Sequence, residues 1–166
     1  MRRVGIILLG ILIGCLQLSM HGLSSNVVLP NIALVTVILL LPKWTFHDLV
    51  FLTLSIGVVL ELGSASSVGT QIIAYLLIVL IGKLLLRQAV DGSQMGFLVA
   101  LGVCLTLAFN LIVSLALPAQ DILQNTQLLL FRTILECVYN GIIIVLGMLF
   151  VYSRHVTKPR YRLPRL

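Results

Sequence analysis

The chain has 166 residues, of which 60% are apolar and only 10% charged, with a net charge of +6. A soluble domain carries roughly 25% charged residues, and the mean hydropathy of +1.16 leaves too few polar side chains to cover a water-exposed surface. These values exclude an ordinary soluble protein and indicate a single-domain, all-α integral membrane protein.

An α-helix needs about 20 apolar residues to cross the hydrocarbon of a bilayer. No Asp, Glu, Lys or Arg occurs between Arg3 and Lys43, which leaves room for two passes. The break falls in HGLSSNVVLPN, residues 21–31, where His, Gly, Ser, Asn and Pro cluster. The first span is expected at about 4–20 and the second at about 27–42. The first run follows Met1-Arg2-Arg3 and imitates a secretory signal, but QLSMHGLSSN offers a poor cleavage site, so a retained span is expected. Further spans are expected at about 46–62, 70–87, 94–118 and 128–152, with a basic cytoplasmic tail at 153–166. They are separated by PKWTFHD, GSASSVG, QAVDGSQ and PAQDILQNTQ.

Six transmembrane helices with both termini in the cytoplasm place all but one of the eleven basic side chains on the inner side, the exception being Arg132. That distribution is what the positive-inside rule requires, and a five-span chain would break it. The tail SRHVTKPRYRLPRL suits anionic lipid headgroups; nucleic-acid binding is not expected of a segment held so close to the bilayer.

Several polar residues interrupt the apolar runs. Arg132, Glu136 and Asn140 follow one another at intervals of four and share a helical face. Glu61, at the outer end of the third span, falls at a similar depth, so a Glu61–Arg132–Glu136 cluster is geometrically possible. On that reading Arg132→Ala destabilises the fold and Glu61→Gln is tolerated. Lys83 is placed to snorkel to the inner headgroups. In GSASSVG, Gly63 and Gly69 suit a tight reversal, and Gly10-x-x-x-Gly14 on the first span offers a close-packing face for a helix of this chain or of a partner. Cys15, Cys104 and Cys137 are embedded in apolar runs without CxxC spacing, and His21, His47 and His155 never lie near them, so no metal or other cofactor is expected. No His–Ser, Cys–His, paired-Asp or HExxH arrangement marks the spans, and the chain reads as non-enzymatic.

Three patches, LPNIALVTVILLLP (29–42), VLELGSASSVGTQIIAYLLI (59–78) and ECVYNGIIIVLGMLFVYSR (136–154), together resemble the rod shape-determining protein MreD family. The family's Pro-Asn pair is matched by Pro30-Asn31. Its acid followed by a small-residue segment is matched by Glu61 to Gly69, with Glu in place of the usual Asp and Ala65 in place of a Gly. Its Asn-containing patch is matched by Asn140-Gly141. The resemblance implies a component of the bacterial cell-elongation complex in the inner membrane. Its expected partners are an MreC-like bitopic protein, an MreB-like filament and a RodA-like polymerase. It also implies a six-helix fold resembling that of energy-coupling-factor transporter substrate-binding subunits. Pro30 and Asn31 would shape the entry of the second span. Glu61, Gly63 and Gly69 would form the elbow between spans 3 and 4, with Arg132, Glu136 and Asn140 as its polar counterpart.

The alternative is a substrate-capture subunit of an energy-coupling-factor transporter. Such a subunit needs an outward pocket lined by aromatic and polar groups, and the expected outer loops contain no Trp, Tyr or Phe.

Overall fold

The computed structural model describes residues 2–23, 28–63, 69–88, 95–115 and 119–153. Most of these residues are helical and form α1 (Arg2–Leu23), α2 (Ile32–Leu40), α3 (Phe46–Gly63), α4 (Thr70–Gln88), α5 (Met95–Leu115) and α6 (Ala119–Ser153). All but α2 contain a stretch long and apolar enough to cross a membrane, so the chain is a multi-pass membrane protein. The expected tight turn at 64–68, most of QAVDGSQ and the basic tail from Arg154 onward lie outside the described residues.

Two expected boundaries need correction. The second span does not run from 27 to 42. Its helix has nine residues, about 13 Å at 1.5 Å per residue, and cannot cross about 30 Å of hydrocarbon. Pro30 and Asn31 explain the late start. Proline has no N–H to donate and disfavours helix in the residue before it. Asn31 then caps the helix, its side chain accepting from the Leu34 N–H. The second correction concerns PAQDILQNTQ, expected to link two spans but helical from Ala119; the expected span at about 128–152 agrees with the apolar part of α6. Only its part from Thr126 to Phe150 qualifies as a span.

The short helix is the hub of the bundle. α1, α3, α4, α5 and α6 pack in that order around α2, which touches all five. Ala33, Leu34, Val35, Val37, Ile38 and Leu41 are at most 2% exposed, so most of this helix is covered by protein, while Ile32, Thr36, Leu39 and Leu40 form a face that is only partly buried. The ring is not closed: among the described residues, no Cα of α1 comes within 8 Å of a Cα of α6.

Small residues set the closest approaches. A Cβ added at Gly10 would lie 2.8 Å from the Leu52 carbonyl oxygen, and one at Gly14 would lie 2.8 Å from Val59 Cβ. The GxxxG face of α1 is therefore spent on α3 of the same chain. Gly57 plays the same part between α3 and α4, where a Cβ would lie 2.9 Å from Ile72 Cα. This is the usual membrane solution, in which removing side-chain bulk lets backbones meet.

Contacts at one end of the bundle order its ends. Arg2 Nη2 donates to Asp48 Oδ2 at 2.6 Å, and the Lys83 ammonium meets the turn after α2. Gly147 of α6 approaches Leu39 of α2. The start of α1, the α2–α3 turn and the last turns of α6 thus share one end.

Candidate functional site

α2 begins inside the protein, and its first N–H groups have no intrahelical partners. In a membrane interior water cannot supply them, so other groups of the protein must. Asn31 and side chains from three other helices meet here. Gln17 Oε1 of α1 accepts from the Ile32 N–H at 2.8 Å and from the Ala33 N–H at 3.4 Å. Asn31 Oδ1 accepts from the Leu34 N–H at 2.9 Å and from the Tyr75 hydroxyl of α4 at 3.0 Å. The Asn31 carbonyl receives the Val35 N–H at 2.9 Å. Asn31 in turn donates its own N–H to Asn140 Oδ1 of α6 at 2.9 Å. Gln17, Tyr75 and Asn140 are at most 1% exposed. The Asn140 Nδ2 group is buried without a partner among the described residues.

The other end of α2 is held by a charge. Lys83 Nζ donates to the carbonyls of Leu41 and Trp44 at 2.7 and 2.6 Å. A cation at a helix C-terminus meets both the unpaired carbonyls and the negative end of the dipole. Lys83 therefore binds protein backbone instead of reaching for headgroups.

Glu61 takes the complementary role at α4. Its two carboxylate oxygens accept separately, Oε2 from the Gly69 N–H at 2.9 Å and Oε1 from the Gln71 N–H at 2.6 Å. An acid at a helix N-terminus is favoured by unpaired N–H groups and by dipole alike. Gly69 enters this turn at φ +95°, a conformation that glycine adopts without a Cβ penalty. Gly63 admits Leu18 of α1, whose methyl carbons would lie 2.5 Å from an added Cβ.

The anticipated Glu61–Arg132 pairing is not formed. Arg132 is exposed and makes no ion pair or hydrogen bond among the described residues. Arg132 and Glu136 instead line a cavity of about 400 Å³ in the half of the ring beyond the start of α2. Gln17, Asn31, Tyr75 and Asn110 supply further polar lining, and Leu18, Leu60, Phe109, Val113 and Leu129 supply apolar lining. Tyr75 and Phe109 stack at a tilt with ring centroids 4.9 Å apart. Among the described residues no group of three His, Cys, Asp or Glu side chains could hold a metal ion.

The expected site residues therefore separate into three places. Pro30, Asn31 and Asn140 belong to the knot at the start of α2. Glu61, Gly63 and Gly69 belong to the α3–α4 elbow, and Arg132 and Glu136 to the cavity wall. Sequence reading missed Gln17 and Tyr75. Gln17 is the only amide within an otherwise apolar α1 run from Val4 to Leu18, and that isolation was the available signal. Tyr75 carried none beyond being one aromatic among leucines. Compared with known proteins, the chain matches no family model, no curated protein and no solved structure.

Proposed function

We propose that this chain is a non-enzymatic scaffold of the bacterial cell-elongation complex, MreD-like in type. On this reading it lies in the inner membrane with both termini cytoplasmic, binds an MreC-like bitopic protein and links an MreB-like filament to peptidoglycan synthesis by a RodA-like polymerase. One observation carries the reading: the Asn31 N–H bonds to Asn140 Oδ1 across 109 positions of sequence. Two of the three patches that prompted the resemblance thus meet at one buried knot. The third patch, Glu61 to Gly69, organises the adjoining elbow. Residues of this kind shape a rigid, mostly intramembrane body, and such a body offers helix faces to its partners.

The cavity favours a second reading, a small-molecule capture subunit. Its volume falls in the usual ligand range, and it combines aromatic walls with a few polar groups.

A detergent pull-down of the tagged full chain from its native cells separates the two. Recovery of MreC-, RodA- or MreB-like proteins is the expected result. Recovery of a paired ATPase with a transmembrane coupling subunit replaces the scaffold with the capture subunit.

A further inference from the structure

We propose that the cavity is a binding site for a single anionic phospholipid, which enters from the bilayer on the side where α1 and α6 do not meet. The argument begins with Arg132. It lies six residues into the apolar stretch Thr126–Phe150, about 9 Å along the helix axis. There its guanidinium has neither ion pair nor hydrogen bond among the described residues. A charge placed inside a span is costly unless an opposite charge, water or protein group compensates it, and a planar guanidinium is suited to phosphate oxygens.

A second, independent feature lies in the same wall. Asn110 of α5 lines the cavity, and its Nδ2 is buried with no hydrogen-bond partner among the described residues. Buried amide donors are normally satisfied, and the headgroup oxygens of a lipid are acceptors. Glu136, one turn along α6 from Arg132, lines the cavity too.

The apolar lining supplies the rest of the match. Leu18 of α1, Val28 and Leu29 of the segment before α2, and Leu129 of α6 flank the polar groups. Among the described residues no Cα of α1 lies within 8 Å of a Cα of α6, and the proposal takes the acyl chain out on that side. The proposal does not depend on the scaffold reading.

Native mass spectrometry of the full chain, released from nanodiscs of phosphatidylcholine doped with phosphatidylglycerol, reads the occupancy. One phosphatidylglycerol is expected to remain bound. Arg132→Gln is expected to reduce its retention about tenfold, the scale of one hydrogen-bonded charge contact. Val113→Trp keeps the charge but fills the cavity, and is expected to have the same effect. Arg87→Gln, at the opposite end of the bundle, should change nothing. Retention that ignores both cavity variants, or that falls equally with Arg87→Gln, would overturn the proposal in favour of nonspecific surface lipid. Displacement of the lipid by millimolar inorganic phosphate would assign the site to a soluble anion instead. If Arg132→Gln does not fold, Val113→Trp decides alone.

Discussion

Asn31 is the residue on which most depends. Its side-chain oxygen serves the Leu34 N–H and the Tyr75 hydroxyl together, so Asn31→Ala strands two buried donors while leaving the Asn31 N–H bond to Asn140 intact. Loss of a cap costs about 1 kcal/mol and a buried unpaired donor about 1–3 more. Tyr75→Phe removes one donor without stranding the cap and should cost only about 1 kcal/mol. Thermal unfolding in detergent is expected to rank Asn31→Ala well below Tyr75→Phe, and equal melting temperatures would dissolve the knot. Glu61 works through both oxygens. Glu61→Gln replaces one acceptor by an NH2 group that faces a backbone N–H, so about 1–2 kcal/mol of stability should be lost. The pattern of charges alone suggests the reverse order, with Glu61→Gln tolerated and Arg132→Ala not. The structure places Glu61 on backbone and Arg132 at a cavity, so Glu61→Gln should be the more damaging of the two in the same assay.

At the scale of the element, α2 is a short helix whose two ends are closed by other helices. Its start is closed mainly by Gln17 and Asn31, and its end by Lys83. Lys83→Met strands the Leu41 and Trp44 carbonyls, and should lower the melting temperature, whereas Arg87→Met, one turn on and exposed, should not. The α1–α3 contact makes a second test. Gly14→Leu drives bulk into Val59 and the Ile56 carbonyl, and backbone atoms cannot yield as a flexible side-chain tip does. Gly5→Leu meets open space and should be neutral. Comparable melting of the two variants would mean that α1 does not rely on its close approach to α3.

At the scale of the molecule, an incomplete ring of five long helices surrounds one half-length helix. Lys43 sits in the turn at the same end as the start of α1 and the last turns of α6, while Thr126 marks the start of the apolar part of α6, toward the other end. With the native cysteines replaced, Lys43→Cys should resist a membrane-impermeant maleimide applied to intact cells, and Thr126→Cys should react. The opposite pattern would invert the molecule. The membrane character and five of the six helices were legible in the sequence, since solvation by lipid imposes a length and a composition that can be counted residue by residue. Asn31 and Glu61 were likewise visible as polar exceptions, because an intramembrane polar group needs a partner. Their partners were not visible. A run of about sixteen residues before Lys43 reads the same whether its helix spans the whole run or starts partway along it, and only the side chains of α1, α4 and α6 gathered at that start revealed which. The tertiary structure alone also separated Arg132 from Glu61: similar depth along two helices does not specify the rotation of either about its axis, and packing around α2 decided it.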